Sequence, residues 1–370
     1  MSGGFSGGFS GGFSGGFSGG FSGGFSGGFS GGFGQAIPAD MALIAHALTT
    51  SRSALVGTFQ GITLPFTLPA PIDNPQWLAK WDVGPRLQVC ELALLSGLHF
   101  VVNGDTVTLG FVNLDETPLA SHKLINLLRP SVEVFTQQIE LVSQYSELRA
   151  DRSTEILAQM VPPVPFWSSI IGLQPHRHKY TLELIDLMLS LAIHVEMRFK
   201  HAFACPRPSA LSPQIQPMIP VPGHASWPSG HATEAFAVAT LLQGLMQSAN
   251  ATGADYQEQL QRQAARIAVN RTVAGLHFPV DSAVGRLLGT GLAKFFVARC
   301  VGNPKLHERG FDGSQFFDAN GNVVDFDLRV SMDDNASGYY ELLPDQANIT
   351  LSPLLAFMWG KAVSEWQPLV

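Results

Sequence analysis

The chain has 370 residues, 45% of them hydrophobic and 14% charged, and its 29 Asp and Glu against 22 Lys and Arg give a formal net charge of -7. Material for a large core is ample, and a sparsely charged, acidic chain is not expected to coat nucleic acid, so any anion site has to be a local device. The three cysteines, Cys90, Cys205 and Cys300, lie far apart with no C-x2-C spacing, which argues against a disulfide scaffold or a cysteine zinc site and for reduced thiols.

Residues 2–33 are eight consecutive copies of Ser-Gly-Gly-Phe. Two glycines in every four residues cost more backbone entropy than one Phe can recover, so residues 1–35 are expected to be a disordered tail. Residues 36–128 read as a helical and loop region packed on the core, with a helical run near Leu87–Leu95 and a hairpin turning at Asn103-Gly104-Asp105. From Arg129 the pattern turns helical: Val134, Ile139, Leu141, Val142, Leu148, Ile156 and Leu157 recur near the 3.6 period until Val161-Pro162-Pro163 stops the run. Further helices are expected over 180–203, 230–248, 256–274 and 280–300, which makes residues 129–300 a catalytic helical core. Residues 301–370 read as a loop-rich C-terminal extension. Its Asn320-Gly321 signals a second hairpin turn, and the Asp318, Asn320, Asn322 series lacks the glycine placement and closing Glu of a calcium loop. The fold class expected is all-α, a helical bundle with minor β-hairpins.

No stretch supplies the roughly 18 uninterrupted apolar residues of a membrane-spanning helix. The best approach to one, Leu182–Phe199, is broken by Glu183, Asp186, His194, Glu196 and Arg198. The first Lys or Arg is Arg52, so a basic leader start is not seen and a cytoplasmic location is the default expectation.

Three segments concentrate residues suited to an oxyanion. In Lys200-His-Ala-Phe-Ala-Cys-Pro-Arg207-Pro208 a long helix delivers Lys200 near its end, and the prolines force Arg207 out on a stiff turn. An ammonium and a guanidinium fork can then grip one anion from two sides. In Pro228-Ser229-Gly230-His231, Ser229 sits where an N-cap belongs and Gly230 admits a close backbone approach. The helix N-terminus favours an anion there, with His231 as an acid or base beside it. In Asn270-Arg271-Thr-Val-Ala-Gly-Leu-His277-Phe-Pro-Val-Asp281, Asp281 lies one turn from His277 and can hold one imidazole nitrogen, leaving the other as ligand or nucleophile. Each segment alone also reads as an ordinary helix exit or capped helix.

Taken in order, K-x6-R-P, P-S-G-H and R-x5-H-x3-D resemble the signature of the superfamily that joins type 2 phosphatidic acid phosphatases with vanadium-dependent haloperoxidases. The third segment departs from it where Asn270 replaces the usual Ser, a position not thought to hold the oxyanion. The resemblance implies the helical acid phosphatase/haloperoxidase fold and a pocket with Lys200, Arg207, Ser229, Gly230, Arg271 and His277 around the anion. In the phosphatases His277 would attack phosphorus and His231 would protonate the leaving group. In the haloperoxidases vanadate would rest on His277 as its single protein ligand and, with hydrogen peroxide, oxidise halide, His231 moving the proton. Residues Pro222–Thr233 look like the haloperoxidase version of the motif, and His224 matches a position that carries His in bromoperoxidases, although it also reads as a loop histidine beside Trp227. The expectation is a haloperoxidase that prefers bromide and acts on a small organic substrate, the alternative a soluble phosphatase of phosphate monoesters. Oligomeric state is open, a homo-oligomer included. His176, His178, His194 and His201 are expected on helix surfaces or behind the pocket, not as ligands.

Overall fold

The computed structural model describes residues 38–367 except 57–60, 62–64, 66, 69–72, 252–253 and 303–304. The Ser-Gly-Gly-Phe repeat, and with it the tail expected over residues 1–35, lies outside the described residues. The chain divides into two units between Gln88 and Val89. In the first, helix α1 (Pro38–Val56) is followed by a 3-10 turn at Pro75–Lys80, which Asn74 caps by accepting the Gln76 N–H. Arg86 donates to the carbonyls of Leu78 (2.9 Å) and Trp81 (2.8 Å). Helix α2 (Val83–Leu95) runs across the division.

The second unit opens with three strands, β1 (His99–Asn103), β2 (Thr106–Val112) and β3 (Ser121–Leu128). The expected hairpin forms between β1 and β2, with Asn103 paired to Thr106 and Gly104 in the left-handed region (φ 57°). The helical run from Arg129 is interrupted: α3 (Val132–Tyr145), N-capped by Ser131, and α4 (Arg149–Ala158) are separated by a 3-10 turn at Ser146–Leu148. Then come α5 (Val164–Ile171), α6 (Lys179–Phe203), the single turn α7 (Pro208–Leu211), α8 (Gly230–Ser248), α9 (Ala254–Val273) and α10 (Pro279–Val301). Strands β4 (Lys305–Asp312) and β5 (Tyr340–Asn348) and helix α11 (Pro353–Ser364) complete it.

The all-α expectation is corrected here. The protein is mainly helical, but β1 to β5 form one mixed sheet in that order, antiparallel throughout except for the parallel β3–β4 pair, which joins Ile125–Leu128 to Arg309–Asp312. Two hairpin-like pieces were legible in the sequence; a sheet was not, because the pair that unites it lies across the whole helical segment. The Asn320-Gly321 turn is present with Gly321 at φ 80° and an isolated bridge between Phe317 and Val323. Asp318 holds it, its Oδ1 accepting the Asn320 and Asn322 N–H groups.

The core lies between α8 and α10, most of whose residues are buried. Their backbones approach closely because α10 offers glycines: a Cβ on Gly289 would lie 2.2 Å from the Thr233 carbonyl oxygen, and one on Gly285 2.7 Å from the Ala232 Cβ. That contact sets the start of α8 against the start of α10, where the Ser229 N–H donates to the Asp281 carbonyl (3.0 Å). Helix α6 has no side-chain cap of its own; Glu365 supplies it, accepting from the N–H groups of Tyr180 (2.7 Å) and Thr181 (2.9 Å). A carboxylate there satisfies donors that the helix leaves open and complements its dipole. Behind the pocket, Arg149 donates to the carbonyls of Val273 (2.9 Å), Gln216 (2.8 Å) and Ile215 (2.9 Å), fixing the turn at Gly275 (φ 78°) that leads to His277.

The glycine contact gives a prediction with a sign. Gly→Ala inside an exposed helix gains about 0.5–1 kcal/mol, but at Gly289 the methyl must displace backbone, and overpacking costs about 1–3 kcal/mol. In urea denaturation Gly289→Ala is expected to be destabilised and Gly360→Ala, at an exposed α11 position with nothing within 4 Å, to be neutral or stabilised. Equal gains in both would refute the close-approach account.

Candidate functional site

Helix α6 ends where Ala204 adopts a left-handed conformation (φ 51°), leaving Lys200 in the last turn and Arg207 in an extended segment ahead of Pro208. Both side chains are buried, at 1% and 6% exposure, as is Arg271 at 1%. The three are held by backbone carbonyls. The Lys200 ammonium donates to the carbonyls of Ser226 (2.9 Å), Ala225 (3.4 Å) and Pro228. Arg207 donates to those of His224 (3.2 Å), Leu276 (3.0 Å) and Ala225 (3.3 Å). Arg271 donates to the Ile156 carbonyl (3.2 Å) and to Gln159 Oε1 (3.1 Å), while its Nε, although buried, has no partner among the described residues. Burial pushes Lys200 down to about 8 and Arg271 down to about 10, so all three stay cationic at neutral pH.

The geometry fixes the tautomer of His277. Its Nδ1 lies 2.8 Å from Asp281 Oδ2 and its Nε2 2.9 Å from Arg207 Nη1. A carboxylate only accepts and a guanidinium only donates, so the ring carries its proton on Nδ1 and keeps the Nε2 lone pair. Burial, then the charges of Arg207 and Lys200, hold His277 well below the usual imidazole range. Asp281 Oδ2 also accepts from the Ser226 hydroxyl and from the Phe278 N–H (3.2 Å), the latter as an N3 acid does in a capping box. Burial raises Asp281 to about 6 against these donors and the two cations.

Ser229 caps α8, its Oγ accepting the Ala232 N–H (3.4 Å). The N–H groups of Gly230 and His231 have no acceptor among the described residues. Gly230 makes room for a protein group: a Cβ there would sit 2.6 Å from Oε1 of the buried Glu196. His231 donates from Nε2 to the Gln159 carbonyl (2.8 Å). Burial, Arg271, Lys200 and Arg207 together drive it down to about 3, the Gln159 bond opposing them. His224 lies at the exposed rim with Nδ1 3.2 Å from Arg207 Nη2. Burial of the ring and the Lys200 charge take it down to about 4.

Lys200, Arg207, Arg271, His224, His231, His277 and Asp281 are thus brought together from segments seventy residues apart, and Ser229 and Gly230 start the helix beside them. Asn270 sits behind Arg271, donating to the same Gln159 Oε1 (3.0 Å) and accepting from Arg152 (2.9 Å). His178 stacks on Trp366 and His194 bonds its own helix at the Ser190 carbonyl, whereas His176 and His201 are exposed.

Four residues of the site were not legible in the sequence. Ser226 and Gln159 are hydrogen-bonding hubs, for His277–Asp281 and for Arg271–Asn270–His231 respectively. Glu196 and Glu234 are carboxylates packed near the cations; burial raises Glu196 well above the carboxylate range and Glu234 to about 7. Burial thus weakens the negative charge they set against the cations. Among the described residues no three His, Cys, Asp or Glu are grouped to hold a metal ion. The arrangement is a cationic cradle with one histidine lone pair, suited to a multiply charged oxyanion.

The Ser226 bond stabilises the charged form of Asp281, so Ser226→Ala is expected to raise the Asp281 pKa above about 6. The Asp281 carboxyl titration, followed by carbon NMR, then moves to higher pH. An unshifted titration would mean that the Ser226 bond does not hold the Asp281 charge.

No curated protein matches the chain. No helix among the described residues is long and apolar enough to cross a membrane. Residues 183–303, which contain every cation and histidine of the cradle, match the PAP2 superfamily and form a PAP2 superfamily domain.

Proposed function

We propose that the protein is a vanadium-dependent haloperoxidase that oxidises halide, bromide in preference, with hydrogen peroxide. A PAP2 superfamily domain supports phosphatase or haloperoxidase-type chemistry; the observation that carries the choice is His224, hydrogen-bonded to Arg207 at the rim of the pocket. The residues fit vanadate. His277 offers one lone pair on a ring locked by Asp281, the Arg271 Nε is buried without a partner, and two N–H groups at the start of α8 lack acceptors. Bound there, vanadate would supply a Lewis acid that activates peroxide toward halide.

The chain's own part is binding, orientation and proton transfer. Lys200, Arg207 and Arg271 neutralise the anion, with the Gly230 and His231 N–H groups and the Ser229 hydroxyl as further donors. Asp281 keeps the His277 proton on Nδ1, so that the lone pair lies on Nε2, where it accepts from Arg207 and would serve the ligand once that bond is exchanged. His231 stands neutral among three cations, and an anion that offsets them raises its pKa. It therefore takes up a proton as the anion binds and can return it during turnover.

The sign of that coupling is testable. Proton uptake means that affinity falls as pH rises through the elevated His231 pKa of the complex. Calorimetric titrations with orthovanadate in buffers of different ionisation heat should show more proton uptake for wild type than for His231→Gln; equal uptake would remove His231 from the proton path.

The roles of the two histidines should separate. His277→Ala is expected to lose vanadate binding severely, whereas His231→Ala keeps much of the binding and loses turnover by about 10²–10⁴-fold. The deciding experiment loads the protein with orthovanadate and assays bromination with peroxide, beside phosphate-ester hydrolysis without vanadate. Peroxide-dependent bromination supports the proposal. Rapid ester hydrolysis inhibited by vanadate, without bromination, overturns it in favour of a phosphatase.

A further inference from the structure

A second cationic cavity, of about 110 Å³, lies where α10 meets β3 and β4, lined by Lys294, Lys305, His307 and Arg309 together with Gly291 and apolar leucines. Lys305, His307 and Arg309 are alternate residues of β4, and Lys294 reaches the same space from α10. At about 1.5 Å per residue, Lys294 is roughly 20 Å along α10 from Asp281, so this is a separate place from the His277 pocket. No acidic residue lines it. Two acids lie nearby: the exposed Asp333 pairs with Arg309 of the lining (2.6 Å), and the buried Glu308 lies 3.9 Å from Lys123.

Arg309 is further anchored by donating to the Met332 carbonyl (3.2 Å), and His307 is held at Nδ1 by the Leu343 carbonyl (3.1 Å). Lys294 and Lys305 have no hydrogen-bond or ion-pair partner among the described residues. Lys294 is half-buried, and burial together with the Arg309 charge lowers its pKa, with Asp333 opposing them. With the Asp333 carboxylate spent on Arg309, two further lysines around a partly desolvated cavity are costly unless an anion offsets them.

We infer that this cavity is an anion-binding site for a phosphoryl-sized dianion, with Lys294 and Lys305 as its point-charge donors. Arg309, held by Asp333 and the Met332 carbonyl, frames the cavity, and the volume admits one such group. The inference stands on the cavity and its side chains and does not depend on which reaction the His277 pocket performs.

The test is equilibrium binding of inorganic phosphate to the full chain, read as stoichiometry and affinity, for wild type, Lys305→Glu and Lys294→Met. Lys305 is exposed, so its charge reversal leaves folding intact, and circular dichroism checks both variants. Each variant is expected to lose one bound phosphate, or to weaken it at least tenfold, while vanadate binding at the His277 pocket is unchanged. Wild-type stoichiometry and affinity in both variants, or no phosphate beyond the one that vanadate displaces from wild type, would overturn the site. Repeating the titration with glycerol phosphate separates the sources: binding of inorganic phosphate alone assigns the site to the free anion, binding of both to an esterified phosphoryl group, and either result supports the shared chemistry.

Discussion

Lys200, Arg207 and Arg271 are buried cations whose hydrogen bonds run to backbone carbonyls, one amide side chain and two imidazole nitrogens, not to carboxylates. Removing an ion from water costs several kcal/mol even after relaxation, and a hydrogen bond to a charged group returns about 1.5–3 kcal/mol. Two or three carbonyls per cation offset that cost while leaving the charge uncancelled. Carboxylate partners would have been easier to accommodate, but the pocket would then carry its own counter-ions and would have little attraction left for an oxyanion. The buried acids nearby follow the same logic, since Glu196 and Glu234 are pushed toward their neutral forms and Asp281 is turned to His277.

That constraint reaches outward into the fold. Carbonyls become available as acceptors only where regular hydrogen bonding stops, and the groups that receive the cations are residues 224–228, Leu276 and the end of α4, all at loops or helix termini. The loops must be rigid to serve. Lys200 ties three carbonyls of its loop to α6, Arg149 ties residues 215–216 to Val273, and the glycine contact between α8 and α10 sets the helix starts against one another. Removal of any of these cations would therefore loosen a loop as well as alter a charge.

The helices that carry the cradle were legible in the sequence because their signals are local: Ser229 before Gly230, Pro279 after His277, and apolar periods that end in proline or glycine; α1, α5 and α11 were not read as helices. The cradle was legible for a different reason, since Lys200, Arg207, Arg271 and the two histidines carry fixed spacings to the helix breakers beside them. Gln159 and Ser226 carry no such spacing. Each is one polar residue among many, selected by contacts with pocket residues 51 or more positions away in the chain, and no local pattern announces that. The break between α3 and α4 was lost in a continuous apolar period, and β3 to β5 were missed because they are specified by partners and not by alternation.

The parallel pairing of β3 with β4 has a consequence for how the chain comes to its final form. Residues 125–128 cannot find Arg309–Asp312 until the entire helical segment between them has been made and compacted enough to bring its two ends within one strand spacing, about 4.8 Å. Three of the strands precede the helical segment and two follow it, so the β3–β4 pair works as a clasp that fastens the two ends of the helical body to each other.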